Sequence, residues 1–342
     1  MTTHKIIVGN SINMSAIPNN SVNLIVTSPP YPMIEMWDEV FSHQSEKVKD
    51  ALQAKNGNRA FTAMHELLNK VWDECDRVLT ESGFICINIG DATRTINGQF
   101  QLYSNHTQVV NYFSKLGYNV LPDIHWRKQS NAPNKFMGSG MYPAGAYVTY
   151  EHEYILIFRK GDKRNPQGTE KELRKKSAYF WEERNTWFSD LWEIKGTSQI
   201  IRSNINARKR SAAFPFEVPY RLINMYSIEN DIILDPFAGL GTTNLAAMIS
   251  CRNSIGYEVD DGIASLALDT LSISPAKANK IIDERLQRHQ KFIESLSDEK
   301  KNCCYYNSNH EILVKTQQEI DIQINRIKSI HNESGTILCD YQ

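Results

Sequence analysis

Short apolar runs that stop at proline or acidic residues are the clearest pattern in this chain. Residues 22–26 form a mostly β-branched run that ends just before Ser28 and a double proline, and residues 232–234 form another that ends at Asp235-Pro236. Continuous runs of this length are typical of parallel strands that are buried on both faces. Apolar residues at helical spacing follow the second run, at positions 245, 246, 248 and 249. The pattern predicts an α/β fold built on a parallel sheet.

Composition excludes several classes of protein without identifying one. A chain of 342 residues can bury a large core, and no segment approaches the ~18 apolar residues of a membrane span. The first residues lack the apolar core of a secretion signal. The six cysteines contain no Cys-x-x-Cys pair, so neither a zinc site nor a disulfide framework is indicated. We therefore expect a cytoplasmic protein with no metal and no membrane association.

The double proline after the first run carries candidate chemistry. Pro29 and Pro30 fix φ and remove two backbone donors, so the turn presents the Ser28 hydroxyl and the Pro29 carbonyl as rigid acceptors. Tyr31 adds a flat aromatic face beside them. In open α/β sheets, ligands bind outside the carboxyl ends of the strands. The turn is therefore a candidate site for a planar ring with an exocyclic amine, although a proline-stiffened structural loop fits the tetrapeptide equally well.

A glycine-rich turn and an acidic residue follow the second run. Gly239 and Gly241 let the backbone approach a ligand closely, and a helix that begins near Thr242 offers free N–H groups to an anion such as a carboxylate. Glu258 ends the next predicted strand, 19 residues after Gly239, which is the spacing that places an acid on ribose hydroxyls. Asn244 replaces the third glycine of the dinucleotide motif. The segment predicts a site for a ribose without a pyrophosphate, and a tight structural turn is the alternative.

The two motifs together resemble those of a known enzyme family. Ser-Pro-Pro-Tyr at 28–31 and Asp-Pro-Phe-x-Gly-x-Gly-Thr-Thr at 235–243 are similar to the motifs of β-class DNA amino-methyltransferases of restriction–modification systems, in particular the cytosine-N4-specific type. Supporting segments lie at 8–22, 83–91, 125–128 and 214–221. The resemblance implies a Rossmann-like methyltransferase sheet with circularly permuted motif order and S-adenosyl-L-methionine as cofactor. It also implies double-stranded DNA as substrate and a restriction endonuclease as functional counterpart.

The resemblance implies roles for individual residues as well. The catalytic turn would consist of Ser28, Pro29, Pro30 and Tyr31. The cofactor-binding residues would be Asn10, Phe214, Pro215, Asp235, Phe237, Gly239, Gly241, Thr242, Thr243 and Glu258. Two positions depart from the family pattern, because Leu240 stands where a serine is common and Asn10 where an aspartate often meets the adenine of the cofactor.

In the implied reaction, a base rotated out of the duplex stacks on Tyr31. The Ser28 hydroxyl and the Pro29 carbonyl accept the two protons of its exocyclic amine, which directs the nitrogen lone pair at the methyl group. Serine at the first position of the motif goes mostly with cytosine in the resembling family, so we expect N4-cytosine methylation. Adenine N6 is the alternative within the family. An enzyme that acts on RNA and a non-catalytic DNA-binding relative are further alternatives.

Four segments are expected along the chain: a catalytic half (1–158), a target-recognition insertion (159–211), a cofactor-binding half (212–270) and a helical C-terminal extension (271–342). Residues 159–210 contain fourteen Lys and Arg against seven Asp and Glu, whereas the whole chain has a net charge of −1. Such a basic insertion would suit DNA recognition, with its Lys and Arg side chains binding phosphates and its other side chains contacting base edges. The loop at 128–147 is a second candidate for DNA contact.

The C-terminal extension is predicted to be helical from the spacing of its apolar residues. Ile281, Ile282 and Leu286 recur at helical intervals, as do the later isoleucines at 320, 324, 327 and 330. Such helices could pack on the catalytic domain, form a dimer or clamp DNA. The sequence therefore leaves a monomer and a homodimer both open.

Overall fold

A mixed β-sheet is the centre of the fold. The computed structural model describes residues 1–128, 137–138, 142–143, 145–195 and 214–342. The strands in these residues are β1 (Thr2–Val8), β2 (Val22–Thr27), β3 (Leu79–Ile89), β4 (Ala92–Ile96), β5 (Gln99–Tyr103), β6 (Asn119–Arg127), β7 (Met137–Gly138), β8 (Ala146–Tyr147), β9 (His152–Arg159), β10 (Leu191–Trp192), β11 (Ile232–Asp235), β12 (Asn253–Glu258), β13 (Tyr305–Asn307), β14 (Ile312–Val314), β15 (Ile327–Glu333) and β16 (Thr336–Tyr341).

Helices cover both faces of this sheet. In the described part of the chain they are α1 (Asp38–Gln44), α2 (Glu46–Gln53), α3 (Gly57–Val78), α4 (Asn105–Lys115), α5 (Thr169–Lys176), α6 (Trp181–Trp187), α7 (Glu217–Tyr226), α8 (Thr242–Ile249), α9 (Asp261–Leu271), α10 (Pro275–Glu294) and α11 (Asp298–Lys301), with 3₁₀ helices at Glu35–Trp37 and Gln317–Glu319. None of the helices in the described ranges combines the length and the apolar character needed to span a bilayer.

The strand order creates a topological switch point in the middle of the sheet. The order is β10-β6-β9-β3-β2-β11-β12-β1-β16-β15. The five strands from β3 to β1 are parallel, whereas β9 and β16 run antiparallel beside them. The chain continues from β2 outwards to β3, and from β11 outwards in the opposite direction to β12. Strands that diverge in this way open a crevice at their carboxyl ends, so the predicted parallel sheet places both sequence motifs at one crevice.

Strand β2 shows why the apolar runs in this chain are continuous. Leu24 and Val26 belong to the hydrophobic cluster that includes α7, α8 and α10. Ile25 points to the other side and belongs to the cluster that includes α3. All three side chains are at most 1% exposed. Helices therefore cover both faces of β2, which confirms the prediction of a strand buried on both sides.

The C-terminal segment differs from the predicted helical extension. The helix expected around Ile281 and Ile282 is present as α10, but β13 to β16 follow it. Ile327 and Ile330 lie on β15, which extends the central sheet through β16 and β1. A β-bulge between Ile327 and Ser329 adds one residue to the strand, so both isoleucines contact the same hydrophobic cluster. Their spacing of three residues imitates a helical period, and the helical prediction is wrong for this segment.

Candidate active site

A cavity of about 360 Å³ opens at the switch point, between the ends of β2, β11 and β12. Small-molecule sites in proteins occupy roughly 300–1,000 Å³. Most of the predicted site residues line the cavity, namely Asn10, Ser28, Pro29, Pro30, Phe214, Asp235, Phe237, Gly239, Thr242 and Glu258. The other predicted residues, Tyr31, Pro215, Gly241 and Thr243, are outside its lining. The fold thus brings the two motifs to one cavity.

The glycine-rich turn between β11 and α8 forms one wall of the cavity. Gly239 and Gly241 have φ of +51° and +75°, in the left-handed region that favours glycine. A Cβ at position 241 would also lie 3.2 Å from the Cβ of Ala267. Gly241 is the N-cap of α8, and Thr242, the first residue of that helix, lines the cavity. The free N–H groups of the first helical turn therefore lie at this wall, where they suit an anionic group.

Glu258 presents a carboxylate that the backbone holds in place. Its Oε2 accepts a hydrogen bond from the Gly239 amide and its Oε1 accepts one from the Asp260 amide, both at 3.0 Å. Burial is the main cause that raises the pKa of Glu258 above its usual range. Each carboxylate oxygen can accept two hydrogen bonds, so the side chain keeps acceptor capacity toward the cavity that it lines. The arrangement fits a ligand with neighbouring hydroxyls, such as a ribose.

Asp235 joins the two turns rather than offering a free carboxylate. Its Oδ1 accepts hydrogen bonds from the Thr27 hydroxyl at 2.6 Å and the Phe237 amide at 3.0 Å, and its Oδ2 accepts one from the Thr243 hydroxyl at 2.7 Å. Burial outweighs these bonds and raises the pKa of Asp235 to about 6. Thr27 ends β2 and Thr243 lies in α8, so one side chain fixes the turn after β2 against the glycine-rich turn.

The Tyr31 hydroxyl is the most connected group of the catalytic turn. It donates to Oε2 of Glu153 at 2.9 Å and lies 2.8 Å from Asn88 Nδ2 and 3.0 Å from Ser28 Oγ. Asn88 also donates to Glu153 at 2.7 Å, and Lys128 forms an ion pair with the other oxygen of Glu153. Burial and then the charge of Glu153 raise the pKa of Tyr31 well above its usual range. The network ends at Ser28, which lines the cavity.

Sequence reasoning missed Asn88 and Glu153. Asn88 lies in the apolar segment 83–91, and it is 3% exposed. A polar residue inside an apolar strand is unusual enough to be a signal, because buried polar groups need partners. Glu153 carries no such signal, since it precedes the apolar run of β9 like an ordinary charged residue at a strand end. Only the antiparallel pairing of β3 with β9 brings the two residues together.

A further wall of the cavity comes from the segment that follows residues 28–31. Its side chains in the cavity lining are Trp37, Val40, Phe41 and Gln44. Arg94 of β4 donates to both carboxylate oxygens of Asp38 at 2.8 and 2.6 Å, which holds α1 in a bidentate ion pair. Asn10 donates to Gln44 at 2.9 Å. Its amide therefore reaches across the cavity rim to α1.

Comparison with known proteins places the chain in a family. Residues 22–269 match the N6/N4 methyltransferase family, described as DNA methylase. The type II methyltransferase M.MthZI of Methanothermobacter thermautotrophicus is 51% identical over 326 residues, which cover 94% of this chain and 90% of that protein. M.MjaI of Methanocaldococcus jannaschii is 47% identical over 283 residues, with coverage of 80% and 92%. The chain belongs to the DNA methylase family.

Solved structures agree with the fold of this DNA methylase. A DNA modification methylase of Thermus thermophilus, TTHA0409, in complex with S-adenosyl-L-methionine, has a TM-score of 0.61 and 29% identity, covering 78% of this chain and 92% of that chain. The cytosine-N4-specific PvuII DNA methyltransferase has a TM-score of 0.51 and covers 84% and 94%, but at 18% identity this likeness shows the fold alone. The predicted methyltransferase fold is confirmed, and the comparisons support S-adenosyl-L-methionine as cofactor.

Outside the cavity, the inserted region of the DNA methylase packs on the C-terminal segment. Arg285 of α10 donates to both oxygens of Glu183 on α6, at 2.7 and 2.8 Å. His289, one turn further along, lies 2.8 Å from a carboxylate oxygen of Glu182. The inserted aromatic side chains Phe180, Trp187 and Trp192 are buried. They serve as core, so they are not free to stack on bases.

Part of the predicted recognition surface lies outside the described residues, namely 196–211 and, within the loop at 128–147, residues 129–136, 139–141 and 144. In the described part, Arg164 pairs with Asp231 at 2.7 Å and also with Glu170, so the excess of cations there is partly neutralised. The assignment of residues 159–211 to target recognition stays a prediction.

Proposed function

We propose that this DNA methylase transfers a methyl group from S-adenosyl-L-methionine to the N4 amine of a cytosine in duplex DNA. The observation that carries the proposal is that Ser28 and Pro29 line the same cavity as Gly239 and Glu258. Acceptors for an amine therefore lie beside the wall that suits the cofactor. Serine at the first position of the catalytic turn favours cytosine over adenine.

The chemistry requires the amine nitrogen to be made nucleophilic. Its lone pair is delocalised into the ring, and the base must leave the stack before the enzyme can reach it. The Ser28 hydroxyl and the Pro29 carbonyl each accept one amine proton, which moves the nitrogen toward sp³ geometry and directs its lone pair at the methyl group. The cofactor supplies this methyl on a sulfonium. Rigid acceptors and positioning thus supply most of the rate.

Tyr31 is proposed to hold the flipped base by stacking, with a gain of about 1–3 kcal/mol. Two observations support a fixed ring. Its hydroxyl bonds to Asn88 and Glu153, and Gly90 lets the ring lie close to the end of β3, where a Cβ would be 3.1 Å from a ring carbon. The ring is outside the lining of the cavity but is joined to it through Ser28.

The cofactor would be held by groups of different character. Glu258 accepts the ribose hydroxyls, and the turn that begins at Gly239 with the N-terminus of α8 holds the carboxylate of the methionine part. Phe237, Phe214 and Asn10 line the remaining walls. Asp235 is assigned to the turn itself, because protein donors already bind both its oxygens. Pro215, Gly241 and Thr243 would act through the backbone and the turn.

Adenine N6 is the alternative target, because the family includes enzymes of both kinds. The test is to incubate plasmid DNA with the protein and S-adenosyl-L-methionine, and to analyse its nucleosides by mass spectrometry. N4-methylcytosine is the expected product. Detection of N6-methyladenine instead would show that adenine is the target base. Duplex RNA in parallel tests an RNA substrate. If neither polymer is methylated and the cofactor does not bind, a non-catalytic role follows.

The proposed biological role is protection from a cognate restriction endonuclease. Modified-base sequencing of DNA from a host that expresses the protein would give the recognition sequence. Methylated DNA should then resist an endonuclease that cuts that sequence, whereas DNA treated with the Tyr31→Ala variant should be cut.

A further inference from the structure

The hydrogen bonds behind the catalytic turn have a definite direction. Tyr31 has one hydroxyl proton, and it donates this proton to Glu153 Oε2 at 2.9 Å. Its oxygen must then accept from its other neighbours, Asn88 Nδ2 at 2.8 Å and Ser28 Oγ at 3.0 Å. A serine hydroxyl has one proton and two lone pairs. With its proton directed at Tyr31, Ser28 can only accept from a group in the cavity.

The side chains around Glu153 maintain this direction. Asn88 donates to Glu153 at 2.7 Å, and the opposite orientation of the Asn88 amide would bring its oxygen against the carboxylate. Lys128 forms an ion pair with the second carboxylate oxygen of Glu153, whose side chain is 12% exposed. An ionised carboxylate is purely an acceptor. Tyr31 is therefore obliged to donate to it.

We propose that Glu153 is a positioning residue for methyl transfer: by accepting the Tyr31 proton, it makes Ser28 donate to Tyr31 and thereby present its lone pairs to the target amine. This inference rests on the proposed function, in which Ser28 accepts an amine proton. In a Glu153→Gln variant the amide can donate to Tyr31. The Tyr31 hydroxyl then donates to Ser28, and the Ser28 proton points toward the target amine. Ser28 can then no longer accept an amine proton in that direction, because an N–H donor and an O–H donor face each other.

The experiment measures single-turnover methyl transfer and the Kd of S-adenosyl-L-methionine. Glu153→Gln should lower the transfer rate roughly 10- to 100-fold. In metal sites, loss of a hydrogen-bond partner that orients a metal ligand has an effect of this size. The Kd for the cofactor should not change, because Glu153 is outside the cavity lining. Glu151→Gln is the matched control, since Glu151 lies two residues away and pairs with Arg127 at 3.3 Å. It should behave as the wild type.

A double-mutant cycle separates this role from a structural one. Tyr31→Phe keeps the ring and removes the hydroxyl through which Glu153 acts. Tyr31→Phe should itself slow transfer by a similar factor, and adding Glu153→Gln to it should have no further effect. If Glu153→Gln does not bind the cofactor, Tyr31→Phe and Glu153→Asp replace it in the experiment. Glu153→Asp keeps a shorter carboxylate, so its transfer rate should lie between the rates of the wild type and Glu153→Gln.

Two results would overturn the inference. One is a wild-type transfer rate in Glu153→Gln or in Tyr31→Phe. The other is that Glu153→Gln costs the same factor with and without the Tyr31 hydroxyl, which would show that it acts by another route. Failure of the proposed function is distinguishable from both, because in that case the wild-type protein itself would not methylate cytosine.

Discussion

Two partly buried networks of charged side chains in this protein contain the same kinds of contact, and we expect them to have different roles. One lies behind the catalytic turn and runs from Lys128 and Glu153 to Ser28. The other joins α6 to α10 through Arg285, which is only 4% exposed and pairs with Glu183. Burial and ion pairing are common to both. What separates them is where each network ends.

The network at α6 and α10 is closed. The Nη1 of Arg285 donates to the Tyr220 hydroxyl at 3.3 Å and to the side-chain Oδ1 of Asn224 at 3.4 Å, and the other two nitrogens donate to Glu183. The network behind residues 28–31 is open, because its last hydroxyl, Ser28, lines the cavity. A buried ion pair is thus a poor indicator of function by itself. We expect changes in the closed network to affect stability, and changes in the open one to affect rate.

The largest expected effect is that of Arg285→Met on stability. Removing one partner of a buried pair typically costs about 3–5 kcal/mol, because the other charge stays buried. Urea unfolding should show this loss, while methyl transfer at low temperature stays close to wild type. Arg288→Met, an exposed arginine on the same helix, is the control and should change little. A loss of rate without a loss of stability would contradict the division between the two networks.

Ser28→Ala should have the opposite signature. Removing one preorganised hydrogen-bonding group from an active site typically lowers kcat by about 100- to 1,000-fold. Single-turnover methyl transfer should fall by this order, whereas the Kd for S-adenosyl-L-methionine and the urea midpoint should not. Ser15→Ala, at an exposed serine of a nearby turn, serves as the control. Wild-type turnover in Ser28→Ala would refute the catalytic assignment.

Glu258→Gln should weaken the cofactor rather than the chemistry. Hydrogen bonds to charged groups contribute about 1.5–3 kcal/mol, so the Kd of S-adenosyl-L-methionine should rise by roughly 10- to 100-fold. Calorimetry measures this, and the rate at saturating cofactor should recover. Asp261→Asn, an exposed acid three residues later, should bind normally. An unchanged Kd in Glu258→Gln would show that Glu258 does not bind the ribose of the cofactor.

The smallest effect is a pH dependence at the closed network. Burial alone would lower the pKa of His289, but its hydrogen bonds to Glu182 and the Leu313 carbonyl raise it above 6.5. His289 therefore stabilises the folded state fully below about pH 6.5, and this contribution is lost as the pH rises through the folded pKa. We expect His289→Gln to cost more stability at low pH than at high pH.

The measurement is the free energy of unfolding in urea of the wild type and His289→Gln, at pH values below and above 6.5. His331→Gln, at an exposed histidine on β15, is the control. A cost of His289→Gln that grows with pH would mean that the neutral imidazole, rather than the cation, is the partner of Glu182.

Much of the site could be predicted because its parts are local. Strand β2, the double proline after it, the glycine turn and Glu258 each depend on residues within a few positions of one another. Steric limits on φ and the reach of a strand act over that range. The sequence therefore indicated both motifs, and most of the residues predicted from them line the cavity.

The same locality explains the errors. Ile327 and Ile330 have a helical spacing, but a bulge in β15 produces this spacing in a strand. The residues around Trp37 and Phe41 have no clear periodicity, and Arg94 of β4 holds their segment through its ion pair with Asp38. Neither feature is visible without knowing which strands pair.

What the sequence alone determined is the identity of the chemical groups and the turns that carry them, because backbone geometry restricts these locally. The tertiary structure decided which of those groups donate hydrogen bonds and which accept them. Asn88 and Glu153 lie 65 residues apart, and only the pairing of β3 with β9 places them on the Tyr31 hydroxyl. A hydroxyl can donate or accept, so the role of Ser28 depends on the partners that the fold supplies.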